Sequence, residues 1–307
     1  MSGTAVRPDA RPRRHGDTWW AVSVLGFAVV LAFLIWPLGR VLAGSVLGES
    51  GWLALGETYG RVVSHRYYWS SVLNSLGLSA AATIGAVLVG TPLAVALSRY
   101  PIPGTVLVRT AANLALLSPP FIGAYSWVVL LGRNGLVTRW LEPLGWHVPT
   151  IYGYPGILLA FVVQYFPLVF LLVSGALTAV DQSMEDAALS LGSRPRQAFF
   201  RVILPVILPS LTAGALLVFM ATMADFGTPM VLGEGLRTLP TLMYGEFINE
   251  LGGNPTMAST LGSLLILINT AALMGQRYWA FRKAYHVVCL RPLEDRKSTR
   301  LNSSHRL

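Results

Sequence analysis

Hydrophobic residues fall into six long runs along this chain, and short polar segments separate the runs. Each run has about 20 or more residues, the length that an α-helix needs to cross a hydrocarbon core of about 30 Å. The first run is longer than the apolar part of a signal peptide, so we expect it to stay in the mature protein as a transmembrane span. The pattern predicts an all-α polytopic membrane protein with six transmembrane helices. The predicted spans are residues 19–43, 69–97, 105–131, 154–180, 210–232 and 257–279.

Polar residues and prolines interrupt three of these spans. Ser118, Pro119 and Pro120 break the third span near its middle, and Gln164 lies three residues before Pro167 in the fourth. Backbone groups freed within a bilayer must be satisfied by protein or by a wet cavity. The breaks therefore fit either bent structural helices or the lining of a translocation path. Asp225, the only carboxylate well inside a predicted span, is either a path or gate residue or a structural hydrogen-bond acceptor.

Small residues recur at every fourth position on one face of the second span. They are Gly77, Ala81 and Gly85. Small side chains let helix backbones approach closely, which is how helices associate in lipid. We therefore expect this face to pack against another helix.

A polar island at residues 181–208 separates the fourth and fifth spans. Glu185 and Asp186 lie in the first turn of a predicted helix, where acids favour the positive end of the helix dipole. Gly192 follows as a left-handed C-cap. Pro195 then stands at the first position of a second helix, where the missing N–H has no cost. The island predicts helix, tight turn, helix.

This island resembles the cytoplasmic loop, called the EAA loop, of permease subunits of binding-protein-dependent ABC importers. The family pattern is Glu-Ala-Ala, three residues, Gly, nine residues, Ile, one residue and Leu-Pro, and here Asp replaces Glu and Val replaces Ile. The resemblance implies that the loop docks into a cleft of a separate ATP-hydrolysing subunit. The residues concerned are Glu185, Asp186, Ala187, Ala188, Gly192, Val202, Leu204 and Pro205.

The later part of the chain resembles the first half of ferric-iron permeases, which fuse two six-span halves in one chain. The similar segments are residues 224–229, 233–235, 239–240 and 252–255, together with Arg237. The resemblance implies the transmembrane-domain fold of type I ABC importers, transport of ferric iron, and a second permease half, fused or separate. Polyamine, thiamine and phosphonate importers share the EAA loop, so these substrates stay open as alternatives.

The same resemblance implies two soluble partners, an ATP-binding cassette ATPase and a substrate-binding protein. We expect the binding protein to dock on the outside loops, where charged side chains offer contacts. The candidates for these contacts are Glu234, Arg237, Glu246 and Glu250.

Positive charge predicts the orientation of the spans. Up to residue 294, the predicted inside segments hold thirteen Arg and Lys residues and the outside segments hold six. Since the cytoplasmic side carries the excess, both termini and the EAA loop are expected in the cytoplasm of a bacterium, with the chain in the inner membrane. The expected organisation is a tail (1–18), the six-span domain (19–281), the start of a linker (282–294) and a non-native, adapter-derived stretch (295–307).

Composition excludes several other classes of protein. The chain is 53% hydrophobic and 12% charged, and it has one cysteine and five scattered histidines. We therefore expect no metal site, cofactor or nucleic-acid partner. The chain has no G-x-x-x-x-G-K-[ST] motif, and Lys283 is the only lysine before residue 295, so nucleotide binding of the P-loop kind is excluded. A non-catalytic membrane subunit is expected, with energy supplied by a partner.

A secondary transporter driven by an ion gradient is the alternative of another class. Such a transporter needs titratable groups within several spans. Here Asp225 stands alone among the predicted spans. The sequence therefore favours the importer subunit.

Overall fold

The computed structural model describes residues 16–47, 54–145, 149–179, 182–248 and 253–283, and these contain helices and no strand. A π-helical stretch, Leu31–Ile35, joins the first two helices, and another, Phe199–Ile203, joins the tenth and eleventh. In chain order the α-helices are α1 (Gly16–Val30), α2 (Trp36–Leu47), α3 (Ala54–Ser64), α4 (Arg66–Arg99), α5 (Thr105–Leu117), α6 (Pro120–Leu131), α7 (Leu136–Leu141), α8 (Tyr154–Ala179), α9 (Gln182–Ser190), α10 (Pro195–Ala198), α11 (Leu204–Ala224), α12 (Gly227–Leu232), α13 (Leu239–Ile248) and α14 (Pro255–Lys283).

Five helical stretches in this part of the chain are long and apolar enough to cross a membrane. They are Val22–Leu47, Arg66–Arg99, Tyr154–Thr178, Pro195–Ala224 and Pro255–Ala280. A sixth crossing results if α5 and α6 form one broken span. The predicted all-α, multi-pass architecture is therefore confirmed.

The predicted break in the third span is confirmed. Helix α5 ends at Leu117, and Ser118 has extended backbone angles of φ −71° and ψ 124°. The residue before a proline is pushed out of the α region, so Pro119 and Pro120 account for this conformation. Helix α6 then begins at Pro120.

The predicted end of the fifth span is wrong. Helix α11 ends at Ala224, and the separate short helix α12 covers Gly227–Leu232. Asp225 accepts a hydrogen bond from the Thr228 backbone N–H at 2.9 Å. A short polar side chain that binds a nearby N–H competes with continuation of a helix. Asp225 therefore lies at a helix break and not within a span.

The predicted outside segment at 233–256 also contains a helix, α13, that the hydrophobic pattern did not reveal. Its residues Leu239, Pro240 and Leu242 are buried. They pack in a core with residues from distant parts of the chain, so tertiary contacts stabilise this helix.

The chain divides into two compact units. The first unit comprises Met1–Leu78, Pro120–Ile157 and Met223–Ile268, and its core includes Val62, Val72, Met223, Leu239, Leu242, Met257 and Leu261. The Tyr59 hydroxyl lies 2.6 Å from Ser263 Oγ and ties α3 to α14 within this unit. The second unit comprises Ser79–Pro119, Leu158–Thr222 and Asn269–Leu307, with a core that includes Ala86, Ala94, Val169, Phe170, Val173, Ile203 and Ile207.

The small-residue face of α4 packs against α8, as predicted. A Cβ built at Gly77 would lie 3.5 Å from the Tyr154 hydroxyl in the first unit. In the second unit, a Cβ at Gly85 would lie 2.5 Å from Val162 Cγ2. Gly90, further along α4, also lies close to α8.

We expect Gly90→Ala to destabilise the protein by about 1–2 kcal/mol, because overpacking outweighs the better helix propensity of alanine. The added methyl group would lie 2.8 Å from the Phe166 carbonyl oxygen and 3.1 Å from the Phe170 nitrogen. Both atoms belong to the backbone of α8, which cannot rotate away as a side chain can. The free energy of unfolding in detergent measures the effect. Gly175→Ala in α8 is the matched control, since no atom lies within 4 Å of its Cβ position. Equal unfolding free energies for the two variants would contradict the packing argument.

Candidate functional site

The helical loop at residues 182–198, which we call the coupling loop, begins with α9 and a complete Schellman cap. Gly192 has a φ of +87°. The Ser193 N–H donates to the Ala188 carbonyl at 3.1 Å, and the Gly192 N–H donates to the Leu189 carbonyl at 2.9 Å. These two bonds define the Schellman motif. The predicted left-handed cap at Gly192 is confirmed.

The second helix of the coupling loop begins where the sequence predicted it. Arg194 is the N-cap residue and Pro195 is the first residue of α10. The Arg194 N–H donates to Gln197 Oε1 at 3.2 Å, as in half of a capping box. Helix α10 then continues through the π-helical stretch into α11, so α10 and the fifth span form one continuous helix.

Several apolar side chains are exposed on the coupling loop. Leu191, at the turn, is 86% exposed, and Met184 is 47% exposed. Contiguous exposed apolar surface is typical of a contact with another protein or with the membrane. Leu191 was not among the predicted residues, although its place beside the capping glycine, where no helix face can cover it, was a usable signal.

The other residues predicted for the EAA loop at 181–208 are placed as follows. Ala187 is exposed, Ala188 and Leu204 are half-buried, and Pro205 is exposed in the first turn of α11. Glu185 and Asp186 belong to α9, but their side chains lie outside the described part of the structure.

Asp225 is buried in the first unit, with 5% of its surface exposed. Its Oδ1 accepts the Thr228 N–H, and its Oδ2 accepts the Thr228 hydroxyl at 3.3 Å. This arrangement caps the start of α12, because it satisfies an N–H that has no partner within the helix.

The start of α6 packs against the turn that follows Asp225. A Cβ at Gly227 would lie 3.1 Å from both Pro120 Cβ and the Phe121 nitrogen. The Phe226 ring lies 5.7 Å from the Phe121 ring and 4.8 Å from the Tyr244 ring, measured between centroids. The structure thus brings the break at Pro120 and the turn after Asp225 together in one aromatic cluster.

The other predicted path residues lie elsewhere. Ser118, Pro119 and Gln164 belong to the second unit, and Gln164 is half-buried in α8. The five candidates therefore do not form one cluster within either unit.

Three of the predicted docking residues hold local structure in the first unit. Glu234 has a φ of +44° in a turn closed by a Leu236 N–H to Gly233 carbonyl bond of 2.9 Å. Its carboxylate forms an ion pair with Arg133. The sequence analysis missed this pair because 101 positions separate the two residues.

Arg237 and Glu246 contact two neighbouring tyrosines. The Arg237 guanidinium lies 4.8 Å from the Tyr67 ring centroid, a cation–π distance. Glu246 Oε1 accepts the Tyr68 hydroxyl at 3.0 Å. The fourth candidate, Glu250, lies outside the described residues.

Comparison with known families identifies the chain. The family described as binding-protein-dependent transport system inner membrane component matches residues 86–284, a range that includes the whole coupling loop. The chain belongs to this family. It is therefore a multi-pass inner-membrane permease.

Relatives of this permease are named for different substrates. FbpB 1 of Haemophilus influenzae, named for ferric transport, is 30% identical over 276 residues, which cover 89% of this chain and 43% of the relative. PhnU of Salmonella typhimurium, named for 2-aminoethylphosphonate transport, is 29% identical over 257 residues, which cover 82% of this chain and 87% of the relative. The permease thus spans less than half the length of the FbpB relatives it matches.

Solved structures confirm the fold of this permease. A chain of a bacterial alginate ABC transporter, in complex with a periplasmic protein, superposes with a TM-score of 0.68 at 14% identity, covering 86% of this chain and 94% of that one. A chain of the inward-facing methionine ABC transporter MetNI gives a TM-score of 0.54 at 20% identity, covering 69% and 94%. The fold is that of the membrane domain of an ABC transporter.

Proposed function

We propose that this permease forms one wall of the translocation path of an ATP-driven importer, and that the substrate is ferric iron delivered by a soluble binding protein. The coupling loop carries the proposal. Its Schellman cap fixes the angle between α9 and α10, and α10 runs without a break into α11. A force applied to α9 is therefore transmitted to a membrane span.

The proposed mechanism is alternating access driven by a separate ATPase. The exposed Leu191 and Met184 offer α9 an apolar contact to that subunit. When the two ATPase subunits close, the coupling loop moves as a rigid body and rocks two permease halves against each other. The second half is either fused to this chain or a separate subunit.

The ferric relatives support iron as the substrate, and PhnU supports a phosphonate as the second candidate. Among the described residues, no group of three or more His, Cys, Asp and Glu side chains could hold a metal ion. Selection of iron is therefore assigned to the binding protein, and the permease passes on what that protein delivers.

The capping role of Asp225 supports an importer over an ion-driven transporter. Ion coupling needs a carboxylate that binds and releases a cation during transport. Both Asp225 oxygens accept hydrogen bonds from Thr228 and maintain the start of α12. A carboxylate that caps a helix in this way has a structural role and does not bind and release a cation.

Reconstitution tests the proposal. The permease, its ATPase and its binding protein are placed in proteoliposomes, and uptake of radioactive ferric iron and 2-aminoethylphosphonate is compared. We expect uptake of ferric iron that requires both internal ATP and the binding protein. Uptake that continues without ATP and stops when the ion gradient is collapsed would establish the secondary transporter instead.

We further expect that residues 1–294 do not transport as a monomer, because one six-span unit supplies only one wall of the path. The measurement is iron uptake by residues 1–294 with the ATPase and binding protein, while the number of copies per liposome is determined. Uptake by a demonstrated monomer would refute the requirement for two halves. Uptake by a homodimer would refute only the prediction that the two permease halves are fused in one chain.

A further inference from the structure

Two cavities adjoin each other in the first unit, where α2 meets α14. The larger has a volume of about 390 Å³ and is lined by side chains that include Val41, Phe226, Met243, Phe247 and Leu265. The smaller, of about 310 Å³, is lined by residues that include Arg40, Gly44 and Thr256.

Close contact between α2 and α14 makes the cavities neighbours. Ser259 lines both of them. A Cβ built at Gly44 would lie 3.0 Å from Ser259 Oγ, so the two helices nearly touch at this point. Arg40 and Val41 are consecutive in α2, and each lines one of the cavities. The charged and apolar compartments therefore lie side by side and share Ser259 in their wall.

The position of the cavities along the helices matches one leaflet of a bilayer. Arg40 lies near the end of the candidate span Val22–Leu47, and Thr256 lies at the start of the candidate span Pro255–Ala280. Leu265 is ten residues into α14, about 15 Å from its start at 1.5 Å per residue. This depth is half of a hydrocarbon core of about 30 Å. The charged compartment thus lies at headgroup level and the apolar one within the acyl-chain region.

We infer that a phospholipid with a net negative headgroup occupies the two cavities, with its phosphate on Arg40 and an acyl chain against Phe226, Met243 and Leu265. A guanidinium matches the planar, multidentate recognition of phosphate oxygens. The apolar lining does not suit a charged substrate such as ferric iron, because a charge placed there would lose its hydration without gaining a partner. This site is therefore separate from the translocation path.

Occupancy links the lipid to the turn after Asp225. Phe226 lines the larger cavity and also stacks against Phe121 and Tyr244. An acyl chain in this cavity completes the packing around that aromatic cluster, so the lipid stabilises the contact between α6, α12 and α13.

A photoactivatable phospholipid tests the inference. The full chain is reconstituted into phosphatidylcholine vesicles that contain phosphatidylglycerol with a diazirine near the end of one acyl chain, and labelled peptides are mapped after illumination. We expect labelling at Met243 and Leu265 above the level at Leu107, which is exposed on α5. Arg40→Gln should lower the excess of labelling at Met243 and Leu265 over Leu107 about fivefold. This is the effect of removing one basic residue near an anionic headgroup.

Matched variants separate this site from ordinary lipid contact. Arg40→Lys should restore most of the labelling, and Arg109→Gln, which removes an exposed arginine from α5, should leave it unchanged. Labelling at Met243 and Leu265 no higher than at Leu107 would overturn the inference, as would equal labelling of the Arg40→Gln variant and the unmodified protein. An absence of label in α13 and α14 would also overturn it.

Discussion

Gly192→Val is expected to lower ATP-coupled uptake at least about tenfold while the permease still inserts in the membrane. The φ of +87° at Gly192 costs a β-branched residue about 1–2 kcal/mol or more, and valine would shift the turn toward negative φ. The two Schellman bonds would then be lost, and α9 would no longer be held at a fixed angle to α10. A cost of 1.4 kcal/mol lowers the population of the docking conformation about tenfold. Co-purification of the ATPase and ATP-dependent uptake measure the loss.

Two controls separate this effect from general strain. A Cβ at Gly192 would meet no atom within 4 Å, so only the backbone conformation is disturbed. Gly104, before α5, has a φ of +86° and equally open surroundings, so Gly104→Val imposes the same strain at another turn. It should leave the ATPase bound. Gly192→Asn should retain most uptake, since asparagine tolerates left-handed backbone. Normal uptake by Gly192→Val would refute the coupling role of the cap.

The coupling loop could be predicted from sequence because its determinants are local. Glycine at a helix end and proline at a helix start fix backbone angles within a few residues. The same is true of the break at Ser118, where two prolines follow directly. Five of the six apolar runs likewise predicted helices long enough to cross a membrane, since a helix in lipid must satisfy its own backbone.

The break after Ala224 could not be predicted from the apolar run that contains it. Residues on both sides of Asp225 are hydrophobic, and the run reads as one span to residue 232. The break depends on where a buried carboxylate binds and on the contact between Gly227 and the start of α6. The hydrogen bond of Asp225 reaches only three positions to Thr228, but the contact of Gly227 joins residues more than 100 positions apart, which the apolar run does not indicate.

The local roles of the predicted docking residues were hidden for a similar reason. Charge in an outside loop indicated a binding surface, but Glu234 pairs with Arg133 and Arg237 lies over Tyr67. These partners come from the two other segments of the first unit. Docking of a binding protein on this surface stays a prediction, and any charge variant there must first be checked for folding.

Asp225→Ala is expected to destabilise the permease by about 2–3 kcal/mol and to reduce uptake through loss of folded protein. The substitution removes the cap of α12, and it leaves the Thr228 N–H without an acceptor in a buried position, which costs about 1–3 kcal/mol. Because α12 carries Gly227 against Pro120 and Phe121, loosening its first turn also loosens the start of α6. The free energy of unfolding in detergent and the amount of folded permease in membranes measure the effect.

Asp225→Asn decides whether the charge itself acts in transport. The asparagine side-chain oxygen can still accept the Thr228 N–H, so stability should fall by less than half as much as in the alanine variant. Thr228→Val keeps the N–H but removes the hydroxyl that donates to Oδ2, and it should show a similarly small loss. If Asp225 is a structural cap, both variants keep uptake and ATP hydrolysis stimulated by the binding protein. A stable Asp225→Asn permease that assembles with its ATPase but does not transport would refute the structural role, because only the charge has then been removed.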